Sequence, residues 1–158
     1  MTNTLLIDHL SSLVLIAGMS GAGKSTASNV LADLGFSTID NLPIDLLGHV
    51  IDLSKKSPAR FSKTCLLLNI ETPKQLEELV ALLNRSSPLP SNLKLVFLDC
   101  TNETILRRYS ETRRPHPGFD PHQDKTLEDA IQRERNCLVP LRERSHFVIN
   151  TSDSTVHE

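Results

Sequence analysis

The chain has no tryptophan, one tyrosine and five phenylalanines in 158 residues. Aromatics at 4% leave little for the stacked-ring platforms on which proteins hold single-stranded bases. Nor is there an excess of positive charge. The formal net charge of −2 excludes a general nucleic-acid binder of the basic type. No apolar run approaches the roughly 20 residues needed to span a bilayer. The opening MTNTLLIDHLSS carries neither a basic segment nor a small-residue cleavage site, so no secretory leader is read there and the expected location is the cytoplasm. Cysteine is scarce, with Cys65, Cys100 and Cys137 spaced unlike metal ligands. They are expected to be free thiols of a reducing compartment, two of them beside apolar runs. Internal repeats and low-complexity tracts are also missing. What remains is 39% apolar and 23% charged, the composition of one soluble globular domain.

Against this background one stretch stands out: Gly18-Met19-Ser20-Gly21-Ala22-Gly23-Lys24-Ser25. It satisfies G-x-x-x-x-G-K-[ST] at every fixed position. The residues before it, Leu13-Val14-Leu15-Ile16-Ala17, read as a strand buried on both faces. Those after it read as a helix with Ala27, Val30, Leu31 and Leu34 on its inner face and Gly35 as its stop. Glycine lets the backbone approach a phosphate closely, and the helix start turns N–H groups and a positive dipole end toward it. Lys24 is then placed to reach the terminal phosphates and the Ser25 hydroxyl to hold Mg²⁺.

The rest of the chain alternates strand and helix, which predicts an α/β fold: a P-loop, kinase-like core of five parallel strands flanked by helices. Phe36-Ser37-Thr38-Ile39-Asp40 is the second strand. Asp40 or Asn41 is expected to cap the following helix, which carries Ile44, Leu47, Val50 and Ile51 on one face. Residues 55–63 read as a loop and 64–70 as the third strand. A helix with Leu76, Leu79, Val80 and Leu83 follows, then the fourth strand, Leu93-Lys94-Leu95-Val96-Phe97-Leu98-Asp99. Thr101 opens a helix through Ile105, Leu106 and Tyr109. Glu111-Thr112-Arg113-Arg114-Pro115-His116-Pro117-Gly118 reads as an exposed, mobile loop, a candidate lid. Thr126-Leu127-Glu128-Asp129 resembles a capping box. The helix it opens has Ala130, Ile131, Glu134 and Leu138 down one side, and Pro140 is expected to kink or restart it. Phe147-Val148-Ile149 is the fifth strand. Eight of the ten arginines lie between positions 107 and 144, where forked contacts to phosphate are one use for them.

In chain order, GMSGAGKS, STIDNLP, VFLDC, ETRRPHPG and RERNCLVPLRERSHFVINTS resemble the N-terminal domain of the RapZ/YvcJ nucleotide-binding proteins. The resemblance covers nearly the whole chain. It implies ATP and GTP binding with slow hydrolysis and, in some members, an adapter role that presents a small regulatory RNA to an endoribonuclease. It puts the ATP-phosphate loop at residues 18–25 and a second nucleotide motif on Asn69-Ile70-Glu71-Thr72. There the chain departs from the family pattern, with Asn69 at the acidic position and Glu71 at the arginine position. Asn69 weakens the hold on metal-bound water, and Glu71 weakens the expectation of GTP. The family's second, RNA- and sugar-phosphate-associated domain is expected to be absent. The chain then divides into a lead-in at 1–12, the P-loop domain at 13–152 and a tail at 153–158.

The expected function is a Mg²⁺-dependent ATP-binding, and by resemblance GTP-binding, protein with slow hydrolysis, a regulatory use and a protein partner. RNA is not expected to bind this domain alone. Lys24 is assigned to the transferring phosphoryl group, Asp40 and Asp99 to Mg²⁺ water or the nucleophile, and Arg113 and Arg114 to closure over the phosphates. Ser25 and Asp40 are the expected metal residues. A small-molecule or nucleoside monophosphate kinase is one alternative, and a non-hydrolysing nucleotide sensor is another.

Overall fold

β1 (Leu13–Gly18) is the centre of the sheet, and its first five side chains are buried because strands pack on both its edges and helices on both its faces. The structure, a computed structural model, describes residues 13–153. The lead-in 1–12 and residues 154–158 of the tail lie outside the described residues. The other strands are β2 (Ser37–Asp40), β3 (Thr64–Leu67), β4 (Leu93–Asp99) and β5 (Phe147–Asn150). They pair in parallel in the order β2-β3-β1-β4-β5. In register, Leu15 lies between Leu66 and Leu95, and Gly18 lies opposite Leu98. The carboxyl ends of the strands therefore finish together, and that edge is where open α/β sheets bind ligands.

The helices are α1 (Lys24–Asp33), α2 (Ile44–Lys56), α3 (Pro73–Arg85), α4 (Asn102–Thr112) and α5 (Leu127–Arg144). Thr72, Thr101 and Thr126 cap α3, α4 and α5 with their hydroxyls. The core joins the strand interiors to Leu47 and Ile51 of α2, Leu79 and Leu83 of α3, Ile105 of α4, and Ile131, Leu138 and Leu141 of α5.

Four local expectations need correction. In α1 only Leu31 is buried, while Val30 and Leu34 are largely exposed. Val30 precedes Leu31 and so points about 100° away round the helix, and Leu34 lies beyond the helix end. β3 stops at Leu67 rather than reaching Ile70. Leu68 still donates to the Ile16 carbonyl, and the chain then leaves the sheet to reach the Thr72 cap. Pro43, not Asp40 or Asn41, is the first residue of the turn into α2, and no side chain caps that helix. α5 does not restart at Pro140 but continues through it to Arg144.

Candidate functional site

The glycine loop leaves β1 at Gly18, turns through Gly21 and enters α1 at Gly23, all three at positive φ. Two residues from distant parts of the chain strap its outer side. Arg108 of α4 donates to the Gly21 carbonyl at 2.8 Å and to the Thr151 carbonyl at 2.7 Å. The Thr151 hydroxyl in turn donates to the Ala22 carbonyl at 2.7 Å. The carbonyls of Gly21 and Ala22 are thus tied down, while the N–H groups of Met19, Ser20 and Ala22 are held by Leu98, Glu134 and Met19.

Lys24 folds back over the loop, with Nζ donating to the carbonyls of Gly18 and Met19 at 3.1 and 3.2 Å. Burial pushes its pKa down, against the fields of Glu134 and Asp40, which favour the charged form. Ser20 is held from the opposite side by Glu134 of α5. Its N–H and its hydroxyl donate to the two carboxylate oxygens at 2.8 and 2.6 Å. The Tyr109 ring lies against Gly21 of the loop, and burial raises its phenol pKa.

The carboxyl edge brings Asp40, Asn41 and Asn69 together. The Asn69 amide donates to Asp40 at 2.9 Å and also to Asn41. Asp40 therefore has no capping duty, and it is close enough to Lys24 to act on its pKa. Asp99 is placed differently. Its Oδ1 accepts from Arg135 at 2.7 Å and from the Cys100 N–H at 2.7 Å, and its Oδ2 lies 3.3 Å from Arg142. Two guanidinium groups occupy this carboxylate. Arg113 and Arg114 are exposed and make no ion pair among the described residues. They begin one turn beyond Tyr109, where Arg113 ends α4 in the left-handed conformation.

The segment after Arg114 is anchored rather than free. His116 and Asp124 are buried. Arg133 of α5 grips Asp124 with both Nε and an Nη, at 3.0 and 2.6 Å, and also donates to the Gly118 carbonyl. Hydrogen bonds from Arg133, and then from the Asp120 N–H, hold the Asp124 carboxyl down at about 2. A depressed carboxyl stabilises the fold above its ordinary value of about 4 and loses that contribution as pH falls toward its folded value. Asp124→Asn is therefore expected to melt below the parent chain at pH 6. The gap should close as the pH is lowered to about 2 in a series of thermal melts, and a constant gap would refute the ion-pair account.

A small pocket of about 50 Å³ opens beside Ser20, between the segment after β3 and α5. Ile70, Glu71 and Thr72 line it, so the degenerate second motif does face the glycine loop. Thr72 also caps α3, and the N–H groups of Glu71 and Thr72 are taken by Gln75. Cys65 and Cys100 are buried free thiols, and burial lifts Cys65 to about 11. Among the described residues no cluster of three His, Cys, Asp or Glu could hold a metal by itself, and no helix is long and apolar enough to cross a membrane. A Mg²⁺ ion held by nucleotide phosphates needs only one or two protein oxygens. The exposed Ser25 hydroxyl at the start of α1 and the exposed Asp40 carboxylate fit that requirement.

Sequence reasoning missed Glu134, His116, Arg108 and Thr151 as parts of this site. Only Glu134 gave a signal, as an acid on the inward face of an otherwise apolar helix stripe.

Residues 11–158 match the family described as RapZ-like N-terminal domain. A nucleotide-binding protein of Vibrio parahaemolyticus is 39% identical over 146 residues, covering 92% of this chain and 50% of that protein. One from Bifidobacterium adolescentis is 35% identical, over 92% of this chain and 46% of its own length. The chain thus spans about half the length of the curated relatives it matches. Among solved structures, shikimate kinase from Bacteroides thetaiotaomicron superposes with a TM-score of 0.54 at 18% identity, covering 88% of this chain and 85% of that one. A gluconokinase from Sinorhizobium meliloti gives 0.53 at 13% identity, over 94% and 87%. These likenesses establish the P-loop kinase-like fold.

Proposed function

The chain belongs to the family of RapZ-like N-terminal domains, and we propose that it binds a nucleoside triphosphate with Mg²⁺ on the loop 18–25, hydrolyses it slowly and serves a regulatory partner in the cytoplasm. The observation that carries this reading is the loop itself. The carbonyls of Gly21 and Ala22 are strapped by Arg108 and Thr151, and Lys24 and Ser25 stand at the start of α1, with Asp40 near enough to act on Lys24. The naming of the relatives as nucleotide-binding proteins supports it.

Bound Mg²⁺ would neutralise charge developing on the terminal phosphates, with Ser25 and Asp40 as its protein oxygens. Lys24 would leave the carbonyls of Gly18 and Met19 to contact the phosphates. With Asp99 committed to arginines, Asp40 is the one carboxylate of the expected pair left at the loop, which fits slow turnover. Arg113 and Arg114 are free to approach the phosphates. Calorimetric titration with ATP and GTP, with and without Mg²⁺, tests the reading, and absence of binding to both nucleotides refutes it. Tighter binding of ATP than GTP is expected, because Glu71 replaces an arginine in the second motif.

A second reading, a small-molecule kinase, draws on the pocket beside Ser20, which could seat an acceptor. ADP formation that rises far above basal hydrolysis when candidate polyol or nucleoside monophosphate acceptors are added would favour it.

Asn69 distinguishes turnover from binding. At position 69 an aspartate would lose the amide that donates to Asp40 and Asn41 and would place a second carboxylate beside the first. Without a divalent ion, Asn69→Asp should melt lower by about 2–4 °C, the shift expected from ~1 kcal/mol in a chain of this size. With Mg²⁺ and ATP the pair becomes a better metal site, and hydrolysis should rise about tenfold, equivalent to ~1.4 kcal/mol. Single-turnover rates at saturating ATP decide the matter, and an unchanged rate would assign Asn69 a purely structural role.

RNA should bind this chain weakly and without sequence preference, given the net charge of −2 and 4% aromatic residues. Tight binding that survives high salt in a gel-shift assay would contradict this.

A further inference from the structure

Glu134 does not belong to the glycine loop, yet it makes that loop's closest contact with any carboxylate. Both its oxygens are engaged by Ser20, one by the backbone N–H and one by the hydroxyl. The loop end to which Ser20 belongs can be identified from Lys24. Lys24 Nζ lies on the carbonyls of Gly18 and Met19, the two residues before Ser20. In loops of this pattern the N–H groups nearer the helix cradle the inner phosphates while the lysine reaches the outermost ones. The carboxylate on Ser20 therefore sits where a terminal phosphate would arrive, and the two anions cannot share one pair of donors.

The same carboxylate has a second partner within reach. His116 Nε2 is 3.9 Å from Glu134 Oε2, beyond hydrogen-bond distance, and the His116 side chain is 0% exposed. That nitrogen has no hydrogen-bond partner among the described residues. Its protonation follows from the other side of the ring. Nδ1 accepts the Gly118 N–H at 3.0 Å, so in the neutral imidazole the proton is on Nε2, facing Glu134. A buried donor without an acceptor is an unfavourable arrangement that a small side-chain movement would relieve. The ring packs on Tyr109, with centroids 5.2 Å apart, and Tyr109 itself lies against Gly21 of the loop. Ser20, Glu134, His116 and Tyr109 thus form one contiguous group linking the glycine loop to the segment that carries Arg113 and Arg114.

We propose that Glu134 reads the terminal phosphate: its carboxylate rests on Ser20 with a diphosphate in the loop and moves to His116 Nε2 when a triphosphate takes the Ser20 donors. This rests on the reading that the loop 18–25 binds nucleoside phosphates and adds to it the residue that tells triphosphate from diphosphate. Displacing Glu134 opposes triphosphate binding and leaves diphosphate binding untouched. The moved carboxylate completes the hydrogen bonding of His116, so occupancy of the loop is transmitted to the segment 113–124. The groups facing His116 are Glu134 and Arg133 of α5, Asp124 of its own segment, Lys24 of the loop and Tyr109 of α4. Burial, the largest influence, keeps its pKa below the ordinary value in this structure. A carboxylate brought into hydrogen-bond contact would raise it.

Two measurements on the whole chain test the proposal. The first is calorimetry of the parent chain and Glu134→Gln with the non-hydrolysable ATP analogue AMP-PNP and with ADP, both with Mg²⁺. Removing the competing charge should raise the preference for AMP-PNP over ADP by about tenfold or more, the scale of one charge-assisted hydrogen bond. The second needs no substitution. The His116 imidazole, followed by ¹⁵N-edited NMR, should keep the Nε2–H tautomer, show a new Nε2–H hydrogen-bond shift and titrate at higher pH on saturation with AMP-PNP, and should do none of the last two with ADP. An unchanged preference in Glu134→Gln, tightening shared equally by both nucleotides, or identical His116 responses to both, overturns the reader while leaving the nucleotide site intact. No binding of either nucleotide to the parent chain overturns both.

Discussion

Gly18→Ala is expected to be the most damaging single-methyl change in this chain. Gly18 pairs with Leu98 across the central β1/β4 ladder, and its φ is +150°. A Cβ built there would lie 2.2 Å from the Leu98 carbonyl oxygen, a backbone atom that cannot rotate away. That oxygen also accepts the Met19 N–H, so moving it opens the bond that starts the glycine loop. The sheet must spread or the loop must re-form, and both consequences fall on the core. A loss of about 3 kcal/mol or more is expected, in the range where clashes and broken backbone bonds produce large mutational effects. For a chain of this size that lowers the melting temperature by roughly 6–12 °C. Gly23→Ala is the matched control. A Cβ there meets nothing within 4 Å, so only the left-handed backbone opposes it. Its cost should be about 1–2 kcal/mol. Thermal unfolding followed by circular dichroism would show the difference, and equal melting temperatures for the two variants would refute the steric argument.

The contrast also indicates which parts of the molecule can be read from sequence. The glycine loop is legible because its chemistry is local: eight consecutive residues, an apolar strand before them and a helix after. The sheet is legible because apolar runs alternate with amphipathic helices and right-handed crossovers leave few orders. Asp99 shows where local reading fails. It stands at the end of a buried strand, as a metal-orienting acid would, and nothing in its neighbourhood distinguishes the two uses. Its partners, Arg135 and Arg142, lie far along the chain on α5 and reach it only after folding. His116 is a second case. Pro115 and Pro117 predict an exposed turn, and the loop around them is irregular, yet its histidine is buried against Tyr109 and Glu134 because Arg133 pins Asp124 and Gly118 behind it. Glu134 was half legible. A charged residue in line with Ala130, Ile131 and Leu138 must find a partner or cost stability, but the sequence does not say that the partner is Ser20.

Lys24→Ala is the change expected to separate binding from folding. The expectation from sequence places Lys24 to reach terminal phosphates, and the structure folds it back on the carbonyls of Gly18 and Met19. Burial is the largest influence on its pKa, and it outweighs the fields of Glu134 and Asp40. The charged ammonium is therefore held at a net cost in this conformation. A lysine whose folded pKa is lowered binds protons less readily than in the unfolded chain, so at neutral pH, below both values, that cost is present in full. It diminishes as pH rises through the folded value toward the ordinary one. Removing the side chain removes the cost along with two hydrogen bonds to carbonyls, and the melting temperature at pH 7 should be equal to or above that of the parent chain. Binding should move the other way. In the proposed binding mode the ammonium contacts the outer phosphates, and losing a hydrogen bond to a charged group costs about 1.5–3 kcal/mol, or roughly 10- to 150-fold in ATP affinity. Calorimetry and thermal melts on the same preparation test both halves. Unchanged ATP affinity would remove Lys24 from the phosphate site, while a large drop in melting temperature would show that the folded-back ammonium supports the loop rather than straining it.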